Sequence, residues 1–520
     1  MQEIFRFGIN HLTAARALAM ASGELKGILD EQARALIQQS SSHVAEIVEK
    51  GDVVYGVNTG FGSLCTTIIS AEDTQLLQEN ILKSHSVGVG APIDIKLAKL
   101  MLILKLHSLA QGYSGIRLET LERILWHIDH DAIPVVPAQG SVGASGDLAP
   151  LAHLFLPLIG LGFVNYKGET LATQSLFQSH NLAPLSLGPK EGLALINGTQ
   201  FIAAHATLVV DRLHNCLSSA DIIGAMMIEA LLGSVKPFQQ ALHAIRPFPG
   251  NQHVAHRMTT LLQGSEILES HKDCGKVQDP YSLRCIPQVH GTSRTAWAHL
   301  RDLLEIELNA VTDNPIILSA EETISGGNFH GQPLALPLDY AALAASELGN
   351  ISDRRVYLSL EGKVEGLPQL LMKNTGINSG FMLPQYTSAA LASENKSLVY
   401  PASADSIPTS LGQEDHVSMG SISGRKALQI IDNLEQILAI ELLCAAQAFD
   451  FRRPLKSSRL LEACHAFVRS RIDHAEKDRV FARDIAKAHD IIHSKALRQV
   501  ITDLRPKGLA SPFQSQFEVY

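Results

Sequence analysis

The stretch HATLVVDRLHNCLSSADIIGAMMIEALL, residues 205–232, is long, largely apolar and free of proline. A run of this length with few charges on any side predicts a buried helix, because strands are usually only about four to eight residues long. Six further stretches show helical apolar spacing or a similar apolar run, at 30–49, 71–87, 97–110, 336–360, 423–448 and 457–471. Several long apolar helices in series predict an all-α fold built around a long helix bundle.

Strand patterns are few, at residues 135–136 and in a hairpin-like segment at 162–170. We expect two parts in the chain. Residues 1–110 would form a smaller, mixed N-terminal part, and residues 111–520 would form the central bundle and the C-terminal helices.

The composition narrows the class of protein. The chain has 520 residues, of which 46% are hydrophobic and 18% charged, and its net charge is −9. A charged fraction below the usual ~25% leaves more apolar surface than a monomer commonly exposes, which hints at oligomerisation. Because there is no basic stripe, nucleic acid is disfavoured as a partner.

The cysteines and the apolar segments indicate the cellular compartment of the protein. No two of the six cysteines have C-x-x-C spacing, and their low number fits a reducing compartment. Residues 1–10 lack the apolar core of a signal peptide, and the apolar stretch 148–164 is interrupted by proline and glycine. We therefore expect a cytoplasmic protein with no membrane partner.

Residues 140–150, GSVGASGDLAP, carry the segment to which we attribute the chemistry. Glycine lacks a Cβ atom, so its backbone can approach a neighbouring carbonyl closely. If the chain bends tightly here, the Gly146 nitrogen can reach the Ala144 carbonyl carbon. Ring closure with loss of water, including the Ser145 hydroxyl, would leave a methylidene on an imidazolone ring. That group is an electrophile of a kind that ordinary side chains do not supply.

The residues of this segment alone leave two other interpretations open. One is an ordinary Gly/Ser turn in which Asp147 caps the following helix. The other is the nucleophile elbow of a serine hydrolase. That elbow needs G-x-S-x-G, and Asp147 stands where the last glycine should be.

Residues 143–153, GASGDLAPLAH, resemble the signature of the aromatic amino acid lyase family. Further matches to that family follow in the same order along nearly the whole chain. They are YGVNTGFG at 55–62, SH at 84–85, GVG at 88–90, INGT at 196–199, QDPYSLR at 278–284, PQ at 287–288, TDNP at 312–315, GGNFH at 326–330, NSGFM at 378–382 and QEDHVSM at 413–419.

The resemblance implies properties that composition and spacing do not. It implies an all-α bundle of the aspartase/fumarase-like type, assembled as a homotetramer whose active sites are each built by several subunits. It also implies a 4-methylidene-imidazol-5-one (MIO) formed autocatalytically from Ala144, Ser145 and Gly146, with no external cofactor. The implied activity is that of a carbon–nitrogen lyase acting on a small amino acid.

Elimination of ammonia from an amino acid meets two obstacles, a poor leaving group and a β-proton that is barely acidic. The electrophile would address the first obstacle and a positioned base the second. By resemblance Tyr55 is that base, and the planar guanidinium of Arg284 would hold the substrate carboxylate. Asn197 would hydrogen-bond the electrophile or the carboxylate, and Tyr281 would orient the loop of Arg284. The expected catalytic residues are Tyr55, Ala144, Ser145, Gly146, Asn197, Tyr281 and Arg284.

Substrate choice is expected to depend mainly on His85 and Glu414. Family members acting on phenylalanine or tyrosine usually have glutamine where Glu414 stands. A carboxylate can accept a hydrogen bond from an imidazole N–H, whereas beside a phenyl ring it would lack a partner, at a cost of about 1–3 kcal/mol. We therefore expect L-histidine to be converted to trans-urocanate and ammonia, the first step of histidine degradation. The expected substrate-binding residues are His85, Gln278, Phe329, Met382 and Glu414.

Three alternatives stay open. Glu414 could merely pair with Arg425 at a helix end. The second alternative is a tyrosine or phenylalanine ammonia-lyase or 2,3-aminomutase with the same prosthetic group. It stays open because Gly331 and Gln332 resemble the tyrosine and phenylalanine branches of the family. The third is a non-catalytic helical assembly protein, against which the intact tripeptide 144–146 argues.

His489 and His493 stand four positions apart, a spacing that places two imidazoles on one helix face. No third ligand is evident from the sequence, so we expect solvated helix residues and no metal. The chain also has no G-x-x-x-x-G-K-[ST] motif and no G-x-G-x-x-G between a strand and a helix, so nucleotide binding has no support.

Overall fold

The computed structural model describes residues 3–51, 53–60, 69–504 and 515–520, in which helices dominate and strands are short. Two residues of the quoted motifs, Phe61 and Gly62, lie outside these ranges, as does Cys65. No helix in the described ranges is both long enough and apolar enough to cross a membrane. The other five cysteines form no disulfide.

The chain divides into two compact units of three segments each. Unit 1 comprises Met1–Leu208, Arg301–Asp339 and Pro401–Arg425, and unit 2 comprises Val209–Leu300, Tyr340–Tyr400 and Lys426–Tyr520. The boundary predicted near residue 110 falls inside unit 1 and stays a prediction.

Unit 1 contains the short strands and the shorter helices of the first 200 residues. Its helices are α1 Ala14–Ala21, α2 Glu31–Lys50, α3 Ala71–His85, α4 Ile95–Leu109, α5 Leu118–Asp129, α6 Leu148–Phe155, α7 Thr173–Ser179 and α8 Glu191–Ile196. Its strands are β1 Ile4–Arg6, β2 Lys26–Ile28, β3 Val89–Pro92, β4 Ile133–Pro134, β5 Pro137–Gln139, β6 Phe163–Tyr166, β7 Glu169–Ala172, β8 Ile316–Ile317 and β9 Thr323–Ile324.

Four long helices have residues in both units, and unit 2 is otherwise helical in its described residues. The four are α9 Gln200–Ala230, α14 Ile286–Leu308, α15 Gln332–Leu360 and α17 Gly420–Asp450. Unit 2 also contains α10 Gln240–Ala244, α11 Pro249–Leu262, α12 Glu266–Ser270, α13 Tyr281–Arg284, α16 Met382–Leu398, α18 Arg459–Arg469, α19 Phe481–His493 and α20 Ala496–Asp503.

The all-α prediction is confirmed, and so are all seven predicted helices, with ends that differ by no more than five residues. Helix α2 shows why the ends fall where they do. Asp30 accepts a hydrogen bond from the Ala33 N–H at its start, and Gly51 ends it in a left-handed conformation with φ +74°. These are the common chemistries of an N-cap and a C-terminal glycine.

Helix α9 is buried along almost its whole length, as its apolar composition predicts. The buried Asp221 of this helix is paired rather than solvated. Asp221 accepts hydrogen bonds from Arg257 at 2.7 Å, from His290 at 2.8 Å and from Arg294. A buried charge is tolerated only with such partners, and they hold the pKa of the Asp221 carboxyl well below its usual range.

The predicted strand at 135–136 is wrong, and the chain changes its pairing partner at this point. Strands β4 and β5 lie on either side of it, and they pair with β6 and β3 respectively. The Val135 N–H donates to the Phe163 carbonyl at 2.9 Å, while the Val136 carbonyl accepts from Ile93 at 2.9 Å. The predicted hairpin is confirmed, with Phe163 opposite Ala172.

Candidate active site

A cavity of about 910 Å³ opens in unit 1, and unit 1 supplies every residue that lines it. Its wall is formed by the loop before α3, the end of α3, the start of α6, the end of α8 and two later loops. Seven of the expected site residues line it: Tyr55, His85, Ala144, Ser145, Asn197, Phe329 and Glu414. The fold thus brings together residues that are spread over 360 positions of sequence.

The segment 143–147 is held in a tight bend by its glycines. Gly143 and Gly146 have φ of +67° and +76°, a region that favours glycine. A Cβ atom on Gly146 would lie 2.1 Å from the Gly198 carbonyl oxygen, and one on Gly143 would lie 2.2 Å from the Ser418 hydroxyl. No larger residue fits at either position without moving its neighbours.

Asn197 and Gly198 form the cradle of this bend. The Asn197 side-chain amide donates to the Ser145 carbonyl oxygen at 2.8 Å, and the Gly198 N–H approaches the same oxygen at 3.4 Å. The Gly198 carbonyl in turn accepts from the Asp147 N–H at 2.7 Å. The Ser145 carbonyl therefore lies in a site with two hydrogen-bond donors.

Asp147 immediately precedes α6, at the N-cap position, but its side chain makes no capping hydrogen bond. Its carboxylate instead accepts from the Ile202 N–H at 3.0 Å and from the Ser141 hydroxyl at 3.1 Å. Desolvation raises the pKa of this buried carboxyl to about 7, against the hydrogen bonds, which lower it. The capping role considered for Asp147 in an ordinary turn is therefore wrong.

Lys105 of α4 lies behind the cradle and is fully buried. Its Nζ donates a hydrogen bond to the Asn197 backbone carbonyl at 2.5 Å. Desolvation lowers the pKa of Lys105 to about 7, although the nearby Asp313 opposes this effect. Sequence reasoning did not select Lys105, because a lysine inside an apolar helix gives no sign of what it contacts.

Glu414 lies at the other side of the bend. Its Oε1 accepts from the Ser145 hydroxyl at 2.8 Å, and its Oε2 accepts from the hydroxyls of Thr409 and Ser410 at 2.7 and 3.1 Å. Among the described residues, these hydroxyls and not Arg425 are the side-chain partners of Glu414. The ion pair considered for Glu414 is therefore not formed.

His85 ends α3 and lines the same cavity. Its Nδ1 lies 2.9 Å from the Ser84 hydroxyl. Burial lowers the pKa of His85, while its hydrogen bond to the Ile81 backbone and the charge of Glu414 oppose that effect. Glu414 and His85 are thus close enough for their charges to interact.

The cavity also has lining residues that sequence reasoning did not assign. His330 and His416 stack with ring centroids 5.8 Å apart and an angle of 3° between their planes. Both stand inside quoted motifs, GGNFH and QEDHVSM, so the signal was present but gave no role. Asn80 also lines the cavity, four residues before Ser84 on α3, where helical spacing could have indicated it.

Four expected site residues, Gln278, Tyr281, Arg284 and Met382, belong to unit 2 and are not among the residues that line this cavity. The Arg284 guanidinium lies 4.5 Å from the Tyr281 ring centroid, and its Nε has no hydrogen-bond partner among the described residues. Tyr281 is 70% exposed. The wall of the cavity in unit 1 therefore does not contain all the expected site residues.

The comparisons with known proteins agree with this fold. The sequence profile of the aromatic amino acid lyase family matches residues 12–470. The chain belongs to this family, and the enzyme class predicted for it, a carbon–nitrogen lyase, is confirmed.

Individual relatives are similar over nearly their full length. Histidine ammonia-lyase of Natranaerobius thermophilus is 48% identical, and the match covers 89% of this chain and 92% of that protein. The crystal structure of histidine ammonia-lyase from Trypanosoma cruzi has a TM-score of 0.90 at 39% identity, covering 99% of this chain and 98% of that one. A tyrosine aminomutase from Streptomyces globisporus has a TM-score of 0.90 at 34% identity, covering 95% and 97%.

Proposed function

We propose that this protein is an ammonia-lyase that converts L-histidine to trans-urocanate and ammonia, the first step of histidine degradation. The observation that carries the proposal is the contact of Glu414 with Ser145 in the cavity that His85 also lines. Two relatives named histidine ammonia-lyase, at 48% and 39% identity, support the choice over the tyrosine aminomutase at 34%.

We propose that Ala144, Ser145 and Gly146 form the MIO ring, with no external cofactor. The bend fits that group in two respects, because Gly146 packs against the Gly198 carbonyl where a Cβ has no room, and Asn197 holds the Ser145 carbonyl. Once formed, the ring would supply an electrophilic methylidene carbon. Binding of the substrate and removal of its proton would be carried out by side chains of the protein.

Binding of the imidazole is assigned to Glu414 and His85. Two hydroxyls fix one oxygen of Glu414, and the other faces Ser145, so the carboxylate is held in place and can accept from an imidazole N–H. A substrate with a phenyl ring would leave this acceptor without a partner. Phe329 would complete the apolar side of the pocket.

Proton removal is assigned to Tyr55, which lines the cavity beside the 144–146 segment. In the elimination the base takes the β-proton, a double bond forms between the α- and β-carbons, and the C–N bond breaks to release ammonia. The Asn197 amide polarises the Ser145 carbonyl through its 2.8 Å hydrogen bond. Polar groups fixed before the reaction need no rearrangement during it.

We propose a homotetramer with shared active sites, in which Gln278, Tyr281, Arg284 and Met382 of unit 2 complete the site of another subunit. Three observations support this. Gln278 and Tyr281 are exposed in the single chain, the Arg284 Nε lacks a hydrogen-bond partner among the described residues, and the large apolar Val277 and Ile377 are each 92% exposed. Large contiguous apolar patches on a protein surface mark contact sites, and in the tetramer we expect Val277 and Ile377 to be covered by a neighbouring subunit.

The test is incubation of the purified protein with histidine, tyrosine and phenylalanine separately, with measurement of ammonia and of the conjugated acrylate product. We expect product from histidine, with the Ser145→Ala variant as the inactive control. Product from tyrosine but not from histidine would move the assignment to the aminomutase-like branch. No product from any of the three would support a non-catalytic assembly protein.

A further inference from the structure

A second cluster of chemistry-bearing side chains lies in unit 2, between α17 and α19. Glu435 of α17 is 1% exposed, and its Oε2 lies 2.9 Å from Nδ1 of His493 and 3.4 Å from Nε2 of His489. The two imidazoles stand four residues apart on α19, with ring centroids 5.6 Å apart and an angle of 23° between their planes. A third candidate ligand, which the sequence did not reveal, therefore lies 54 positions before His489.

We propose that Glu435, His489 and His493 bind a transition-metal dication of the Zn²⁺ class. One ligand atom from each residue lies within 4.8 Å of the other two. Bonds of about 2.0–2.2 Å in a tetrahedral zinc site place its ligand atoms roughly 3.3 Å apart, and the distances from the carboxylate oxygen to the two nitrogens bracket that value. The mixed imidazole and carboxylate set favours Zn²⁺, Ni²⁺ or Cu²⁺ over Mg²⁺ and Ca²⁺.

The positive charge of Arg212 could repel a metal ion at this cluster. Its contacts with two carboxylates offset that charge. Its guanidinium donates to both oxygens of Glu435, at 3.0 and 2.8 Å, and also pairs with Asp432 at 2.6 Å. Two carboxylates and one guanidinium leave a net charge of −1 before a metal is added. Each carboxylate oxygen has two lone pairs, so Arg212 can orient Glu435 while Oε2 faces the imidazoles, as hydrogen-bonded carboxylate ligands do in metal sites.

The alternative is that the imidazoles merely hydrogen-bond Glu435. That arrangement directs both ring nitrogens, together with Arg212 Nη2, at one carboxylate oxygen. A metal ion bound by all three side chains would take the place of the two imidazole N–H donors at this oxygen. With three protein ligands, the fourth position would remain for water.

The site would join α17 to α19 and so stabilise unit 2. Its ligands do not line the cavity of unit 1, so we expect no direct part in the elimination. A ligand that binds only the folded state raises the melting temperature as its concentration exceeds the Kd. This proposal does not depend on the proposed function.

The experiment is isothermal titration of the full-length, metal-stripped protein with ZnCl₂ at neutral pH, with no histidine in the buffer. The test variant is H489Q/H493Q, because glutamine can still hydrogen-bond Glu435 but is a poor zinc ligand. The matched control is H11Q, which removes a surface histidine that contacts a single carboxylate, Glu305, at 2.7 Å.

We expect one Zn²⁺ per chain in wild type and in H11Q, with a higher melting temperature in its presence. In the double variant we expect binding weaker by more than about tenfold, with an unchanged melting temperature in the absence of metal. A wild type that binds no Zn²⁺, or equal binding by H489Q/H493Q, would overturn the proposal. The single variant H493Q gives the same decision if the double variant does not fold.

Discussion

The Ser145 hydroxyl donates a hydrogen bond of 2.8 Å to Oε1 of Glu414, although the two residues are 269 positions apart. The same carboxylate faces the substrate cavity. It therefore contacts both the hydroxyl that is lost in the proposed ring closure and the space in which the substrate ring would bind. These two roles can be separated by experiment.

The first prediction concerns Glu414→Gln. Glutamine keeps an oxygen that can accept from the Ser145 hydroxyl but loses the charge that strengthens a hydrogen bond to imidazole. We expect the mass of the intact protein to show the loss of two waters, as in wild type. Histidine turnover should fall roughly 10- to 150-fold, the effect of losing about 1.5–3 kcal/mol.

Mass spectrometry and ammonia assay on the same preparation check this prediction. A variant that retains both waters would place Glu414 in ring formation rather than in substrate binding. Full activity of the variant on histidine would show that the charge of Glu414 does not bind the imidazole.

The second prediction concerns Ser145→Ala. Without the hydroxyl no methylidene can form, while the hydrogen bonds that join the backbone of the bend to Asn197 and Gly198 remain. We expect a folded protein with the circular dichroism of wild type, almost no turnover and no loss of the second water. Appreciable activity on histidine would show that the electrophile is not made here.

The sequence predicted the fold well where burial is uniform and poorly where pairing is distant. Helix α9 was found because its apolar residues cover every side of it. The change of pairing strand at Val135 and Val136 was missed, since two consecutive valines do not indicate which strand each of them will pair with. Lys105 could not be assigned, because its acceptor, the Asn197 carbonyl, is 92 positions away.

The candidate site likewise has residues that the sequence located and contacts that it could not show. Motif resemblance located Tyr55, Asn197 and Glu414, which the fold brings to one cavity. It could not show that Arg284 lies in unit 2, because a motif carries no information on which surface will complete a site. It also gave no third ligand for His489 and His493, since Glu435 is on another helix.

The third prediction concerns Asn197→Ala. The Ser145 carbonyl accepts two hydrogen bonds, and the one from the Asn197 side-chain amide is the shorter. Removing one preorganised donor at a site of developing charge costs about 10²- to 10³-fold in kcat. We expect that loss with a much smaller change in KM, measured in the fraction of protein that has lost both waters. A change confined to KM would assign Asn197 to substrate binding instead.

The fourth prediction concerns the pH dependence of stability at Lys105. Desolvation lowers its pKa from 10.5 to about 7, so between these values the unfolded chain holds a proton that the folded chain does not. Stability then rises with pH across that window, because the unfolded state binds more protons. Replacing the lysine by methionine keeps the length of the side chain and removes the titrating group.

The measurement is denaturant unfolding of wild type and Lys105→Met at several pH values from 7 to 10. We expect the stability of wild type relative to the variant to increase steadily with pH in this range. Lys105→Arg serves as the control, since arginine stays charged and cannot titrate there. A difference between wild type and Lys105→Met that stays flat with pH would mean that Lys105 is charged in the folded protein. Its contact with the Asn197 carbonyl would then be that of a buried ammonium ion.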